Sequence, residues 1–220
     1  MEINQYQKLF DFIFDTVKLQ EADVIKMTSK LSVDKYIKGD FILKQNQISK
    51  SLKFVLSGIY RVYQLNDGKE ITSYFNYEQR NPLVASFVSL LTEKPSAEFI
   101  ECIVPGKLIS IAYSDWKELY KTSLELNTFG RLMAEKNYLY AIQRIESLQY
   151  QSASERYEIF LKLYPSLLNQ IPHHYISSYL GITPNLSAVF VSPWLKSKSY
   201  HTSMQLLFII RKFELWKRQT

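Results

Sequence analysis

The chain has 220 residues, 46% of them apolar, enough for two small domains joined by a helix with a core in each. No basic-then-apolar leader is visible and no run approaches the ~18 apolar residues of a membrane span, so the expected location is the cytoplasm, with no membrane partner. The formal charge is +6, and the lone cysteine, Cys102, excludes an intrachain disulfide and a thiolate-held zinc or iron–sulfur cluster.

Residues up to about Met27 read as helix, with Tyr6, Leu9, Phe10, Ile13, Phe14 and Val17 on one face. From Val33 the period changes. Short β-rich runs over 34–45, 52–65, 70–77 and 99–113 are separated by Gly39, Gly58, Asn66-Asp67-Gly68 and Pro105-Gly106. This spacing predicts a small antiparallel barrel or jelly roll, and Asn66-Asp67-Gly68 is its clearest hairpin signal. Ser114-Asp115 then caps a long helix expected to run to about Tyr150, with Trp116, Leu119, Leu126, Phe129, Leu132, Met133, Leu139 and Tyr140 among its apolar positions. Such a helix needs a partner, either its own barrel or a second copy.

Residues 152–184 spell a helix, a break and the first half of a helix-turn-helix. Ile176, Tyr179 and Leu180 sit at helical spacing, Gly181 supplies a left-handed turn, Ile182 buries the corner, and Thr183-Pro184 reads as an N-cap followed by a first-turn proline. DNA is the partner this pattern implies, and the second helix is expected to begin at Pro184.

The same residues carry a family resemblance. Ser154-Glu155-Arg156-Tyr157, Tyr164-Pro165, Leu168, Ile171-Pro172 and the run from Ile176 to Pro184 resemble the C-terminal domain of Crp/Fnr-type transcription regulators, in a Bacteroidetes-like branch. Lys38-Gly39-Asp40, the run from Phe54 to Arg61, and Gly68-Lys69-Glu70 resemble that family's cyclic-nucleotide-binding barrel. The resemblance implies an α+β fold: a sensor barrel over residues 1–113 with flanking helices, a long dimerisation helix over 114–150, and a helix-turn-helix DNA-binding domain over 151–220. It implies a homodimer paired through Phe129, Leu132, Met133 and Tyr140, which would set the half-site spacing of a palindromic operator.

In that family a Gly-Glu pair holds the ribose and an arginine holds the cyclic phosphate. Counting from Pro95, Ser86-Phe87 stand where Gly-Glu would be and Ser96 stands where the arginine would be. Without the bidentate cation, cyclic AMP or cyclic GMP is expected to bind weakly or not at all. An aromatic pocket lined by Tyr63, Tyr74, Phe75, Phe87 and Tyr138, with Arg61 and Ser96 beside it, is the candidate effector site for an unidentified small molecule. A filled barrel core with no effector is the other reading. Arg61 reads more readily as a surface strand residue than as a ligand clamp, and Lys69-Glu70 as a solvated hairpin base.

A metal-dependent barrel enzyme needs histidines converging inside the barrel. His173, His174 and His201 all lie outside it, and no nucleophilic triad, phosphate loop or dinucleotide fingerprint is visible. The reading is therefore not an enzyme, with no metal and no cofactor.

The DNA-binding half is thin in charge. Residues 1–150 carry 19 basic and 18 acidic side chains and residues 151–220 carry 8 and 3, but four of those eight cluster at 211–218. Regulators of the resembled type continue after Gly-Ile-Thr-Pro into a Leu-Ser-Arg-Ile-Arg-like helix. This chain reads Asn185-Leu186-Ser187-Ala188-Val189-Phe190-Val191-Ser192-Pro193-Trp194, without an arginine and with a helix-breaking proline. Codons compatible with Pro184–Lys198, with third bases free, shift by one base to give Glu-Ser-Leu-Ser-Arg-Ile-Arg-Lys-Ser-Leu-Ala-Lys-Lys and then a stop. Residues 185–220 are thus read as a frameshifted tail, with a divergent C-terminus as the alternative. The DNA-contact candidates that remain are His173, His174, Tyr175, Thr183, Asn185 and Ser187. A ligand-binding or protein-interaction module that has lost DNA binding is the second functional reading.

Overall fold

The computed structural model describes residues 3–182, which belong to one compact unit. Thr183, Asn185 and Ser187, and the tail over 185–220, lie outside the described residues.

The N-terminal segment forms two helices, α1 (Ile3–Phe14) and α2 (Glu21–Thr28), rather than the single one expected. Asp15, Thr16 and Val17 are weak helix formers, and the Thr16 amide bonds Ile13 one residue short of helical register, which tightens and ends the turn. Tyr6, Leu9, Phe10 and Ile13 are buried as the spacing requires, whereas Phe14 is exposed.

Six strands follow: β1 (Leu31–Tyr36), β2 (Phe41–Leu43), β3 (Ser51–Asn66), β4 (Lys69–Asn76), β5 (Leu83–Val84) and β6 (Glu98–Ala112), with α3 (Phe87–Thr92) between the last two. All pairings are antiparallel in the order β1-β6-β3-β4, with β2 on β6 and β5 on β3. Asp67 (φ 49°) and Gly68 (φ 74°) are both left-handed, the conformation that a two-residue hairpin with native twist demands.

Two expected strand breaks do not occur. Gly58 lies within β3 and Pro105-Gly106 within β6, where the two strands cross so closely that a Cβ on Gly106 would meet the Ser57 carbonyl oxygen at 2.0 Å and one on Gly58 would meet that of Val104 at 2.7 Å. The glycines permit a backbone contact and a change of register instead of ending strands. Each long strand thereby bends and serves both halves of the barrel: β6 pairs with β2 before the bend and with β1 after it.

The expected long helix is also broken. Helix α4 (Tyr113–Thr122) and helix α5 (Leu124–Tyr150) meet at Ser123, which caps α5 by accepting from the Leu126 amide and donates to Asp23 of α2 at 2.7 Å. Ser114-Asp115 is not the cap; Asp115 lies in the first turn of α4 and pairs with Lys30. Leu126, Phe129, Trp116 and Leu119 close one core with α1, Met27, Phe54, Ile109 and Ile111. The barrel interior is a second core built on Val55, Tyr60, Val62, Ile100, Cys102 and Leu108.

Helix α6 (Ala153–Leu163) opens on a capping box in which the Ser152 amide donates to Glu155 and the Glu155 amide donates to the Ser152 hydroxyl. Helix α7 (His173–Leu180) starts after Pro172 and ends on left-handed Gly181 (φ 64°), with the Ile182 amide donating to Ser177. Ile176 and Leu180 are buried, as are Tyr157, Phe160 and Leu161 of α6 and Leu167 and Ile171 after it, and α6 meets α7 where Phe160 packs on Tyr179.

Candidate functional site

Alternation along β3 and β4 sends side chains to two different sites. Val62 and Tyr74 pair across the hairpin and face the barrel interior, and Arg61 and Phe75 pair beside them and face outward. The aromatic residues expected in one effector pocket are therefore separated. Tyr74 lies inside, donating to the Ala85 carbonyl at 3.4 Å, and burial raises its phenol pKa. Tyr63, Phe75 and Arg61 lie outside. Phe87 is half-buried on α3, and Tyr138 is exposed on α5.

Inside the barrel, the two positions counted as ribose and phosphate contacts do come together. The hydroxyl of Ser96 donates to that of Ser86 at 2.9 Å, and both residues are buried. The Glu98 amide donates to Ser96, and burial pushes the Glu98 carboxyl up, with a hydrogen bond from Ser86 opposing it. A serine pair and the half-buried Glu98 carboxyl thus sit together, at the positions that counting from Pro95 matched to ribose and phosphate contacts. A phosphate there would lose its bidentate contact and meet the carboxyl charge as well.

A cavity of about 530 Å³ opens beside this pair, lined by Tyr36, Ile42, Leu43, Ser49, Lys53, Val84, Ala85 and Ile100. Two lysines line it: Lys50, which is exposed, and Lys53, which is committed to Asp34 at 2.9 Å and Ser110 at 2.6 Å. Burial works against the Asp34 charge, but the hydrogen bonds from Ser110 and Lys53 prevail and hold its pKa below the usual carboxylate value. The wall that remains mixes Ile42, Leu43, Ile48, Val84, Ala85 and Ile100 with Tyr36, Gln47, Ser49 and Ser51, which suits an uncharged ligand of mixed polarity.

On the outer face, Arg61 is one of the most buried side chains of the protein at 1% exposure, not the surface residue its strand position suggested. Its Nη2 donates to Glu70 at 2.6 Å and to Glu101 at 2.9 Å. Its guanidinium lies between the Tyr63 ring at 4.0 Å and the Tyr175 ring at 3.6 Å. Glu70 is accordingly no mere solvated hairpin base. The Ser178 hydroxyl donates to the Glu70 carbonyl at 2.7 Å and accepts from the Thr72 amide at 2.9 Å. Those are the outward backbone groups of an edge strand, and one serine of α7 satisfies both.

Around this contact Phe75, Phe160, Tyr164 and Tyr179 stack with ring centroids 4.8–6.5 Å apart. Arg144 of α5 donates to the Tyr179 carbonyl and Arg156 of α6 donates to the Leu180 carbonyl at 2.8 Å. Two guanidiniums therefore cap the carbonyl end of α7, where a helix dipole favours cations. Burial raises the Tyr179 pKa, with Tyr164 adding to the effect and Arg144 opposing it.

Of the DNA-contact candidates, His173 and His174 are exposed at the start of α7, whereas Tyr175 is turned onto Arg61. Of the dimer-helix candidates, Phe129 is buried in the chain's own core, Met133 packs against that core, and Leu132 and Tyr140 are half-buried, with Tyr140 beside Arg80. The exposed apolar side chains of α5 are instead Leu124, Tyr138, Leu139, Ile145, Leu148 and Tyr150. Residues that sequence reasoning passed over are Glu98, Glu101, Arg144 and Ser178. The signal available for Glu101 was a carboxylate inside the apolar run Phe99–Val104.

None of the three histidines lies in the barrel segment, and among the described residues no group of His, Cys, Asp and Glu is placed to hold a metal ion. No helix of the described residues is long and apolar enough to cross a membrane.

Neither a family model nor a curated protein matches the sequence. Solved structures do match. FixK2 from Bradyrhizobium japonicum superposes with a TM-score of 0.67 at 16% identity, covering 79% of this chain and 89% of that one. A putative Crp/Fnr-family transcriptional regulator from Eubacterium rectale gives 0.63 at 21% identity, covering 84% and 88%. The c-di-GMP-responsive global regulator CLP from Xanthomonas campestris gives 0.62 at 12% identity, covering 84% and 96%. The barrel, the following helices and the α6–α7 pair together have the fold of Crp/Fnr-type transcription regulators.

Proposed function

We propose that the chain is a one-component, Crp/Fnr-type transcription regulator of the cytoplasm: a homodimer whose barrel does not take a cyclic nucleotide and whose DNA affinity is impaired. The observation that supports the reading is that α7 ends on left-handed Gly181, the turn a helix-turn-helix requires, in a chain 79% of which shares the fold of FixK2. Pairing is assigned to the exposed stripe of α5 through Tyr138, Ile145 and Leu148. Impairment follows from the sequence after Pro184, which lacks the arginines that reach bases. Losing two or three contacts of ~1–3 kcal/mol each removes most of a specificity margin of ~4–10 kcal/mol. Residues 151–182 add no compensation, having Arg156 and Lys162 against Glu155 and Glu158.

The ligand assigned to the barrel cavity is a small uncharged molecule, since Lys53 is already paired with Asp34 and Lys50 is exposed to solvent. The functional reading is tested by a mobility-shift assay against the gene's own upstream DNA. Weak, salt-sensitive binding without sequence preference is expected, together with a genomic sequence that encodes the Leu-Ser-Arg-Ile-Arg frame after codon 183. A genomic sequence without that frame, combined with no DNA binding at any salt concentration, would leave only the interaction-module reading.

A further inference from the structure

Arg61, Glu70, Tyr175 and Ser178 stand apart from the cavity and from every surface assigned above, yet they meet at one point. Glu70 is its centre. The Glu70 side chain accepts from Arg61, whose guanidinium lies on Tyr175 of α7, and the Glu70 carbonyl accepts from Ser178, one turn further along the same helix. Tyr175 and Ser178 are three apart and so share one helix face. That face is spent on the β3–β4 hairpin, while Ile176 and Leu180 on another face are buried in the α6–α7 core.

The hairpin side of the contact is wired to the cavity by sequence adjacency. Ile100 lines the cavity, and the next residue, Glu101, holds Arg61. Val62, next to Arg61, faces the interior, and Tyr74, next to Phe75, donates to Ala85 of the cavity wall. A strand has no slack between successive residues, so a displacement of the inner row is carried to the outer row. We infer that these four residues form a latch that holds α7 on the barrel edge and transmits the state of the cavity to the DNA-reading helix pair. The contact stands on its own geometry; its meaning as control of DNA reading rests on the function proposed above.

The latch makes an amide-level statement. The Thr72 amide points out of the sheet edge, and its acceptor is the Ser178 hydroxyl. In the full chain, hydrogen exchange at Thr72 is expected to be slow, and Ser178→Ala should raise its rate at least tenfold. Tyr175→Ala should raise exchange across 173–182 at least tenfold. Tyr175→Phe, which keeps the ring over Arg61, should leave exchange as in the parent. The β1–β6 amides should stay protected in every variant, which separates release of α7 from unfolding. Thr72 exchanging at the rate of an unprotected amide in the parent, or unchanged rates at Thr72 and 173–182 in both alanine variants, would overturn the latch. Failure of the parent and all variants to bind DNA would leave those exchange rates as they are and count against the proposed function instead.

Discussion

Changing Glu101 to Gln removes one of the two carboxylates that neutralise Arg61 and leaves the hydrogen-bonding shape almost intact. Arg61 is 1% exposed, so its charge depends on protein partners. The Glu101 side chain is 16% exposed and that of Glu70 is 44% exposed. Breaking a buried ion pair typically costs ~3–5 kcal/mol, but Glu70 remains at 2.6 Å, so the expected cost of Glu101→Gln is about 2 kcal/mol. The Glu70→Gln change removes the more solvent-screened partner and is expected to cost under about 1 kcal/mol. With a urea slope of ~2–3 kcal/mol per molar, the Glu101 variant should unfold at roughly 0.7–1 M less urea than the parent. Arg61→Met fills similar volume without a charge and should be nearly neutral, because it removes the desolvated charge itself. In the Arg61→Met background, Glu101→Gln should then cost almost nothing. A Glu70→Gln cost equal to or above that of Glu101→Gln, or a Glu101→Gln cost that persists without Arg61, would refute the claim that Arg61 is held chiefly from the β6 side.

Two further outcomes concern the barrel interior. Burial raises the pKa of Glu98, so the stability this group provides in its neutral form is complete below its unfolded pKa and is lost as pH rises through the folded one. Glu98→Gln should therefore raise the melting temperature relative to the parent at pH 7 and give little or no gain at pH 4; equal gains at both pH values would mean that Glu98 is not a buried acid. The Ser86–Ser96 pair beside that carboxyl offers no cation to a phosphate, so calorimetric titration with cyclic AMP should show no micromolar binding, and a micromolar dissociation constant would overturn the reading of this end of the barrel.

The parts of this molecule that were legible in its sequence are those fixed by local chemistry. The β-rich runs form strands, and Asn66-Asp67-Gly68 has the residues that a left-handed two-residue turn needs. Ser152 with Glu155 and the Gly181 terminus are equally local, and each forms as its residue types require. What sequence could not give depends on distant neighbours. The break at Ser123 is fixed by Asp23, one hundred positions away. Gly58 and Gly106 carry the composition of strand ends, but it is their mutual contact that explains them.

The candidate site was half legible for the same reason. Ser86 and Ser96 were paired by counting along one segment, and they touch. The aromatic pocket was assembled by residue type without regard to strand alternation, and alternation divides it: Tyr74 goes in, and Tyr63 and Phe75 go out. Register alone could not settle the division either, because Ser73 is an extra residue on β4 that shifts pairing between Val62 and Tyr63. The role of Ser178 was invisible, since nothing in its neighbourhood announces that the edge of β4 will come to rest on it.

The central claim, that this chain is a DNA-reading regulator whose recognition segment has been altered, is tested most directly by comparing it with a version in which residues 185–197 read Glu-Ser-Leu-Ser-Arg-Ile-Arg-Lys-Ser-Leu-Ala-Lys-Lys. Both would be titrated against the gene's upstream DNA and a scrambled fragment at several salt concentrations. The restored version is expected to bind a palindromic site in the upstream fragment as a dimer, at least a thousandfold tighter than scrambled DNA, while the chain as it stands shows no such preference. Sequence-specific binding by neither version, or equally tight specific binding by both, would contradict it.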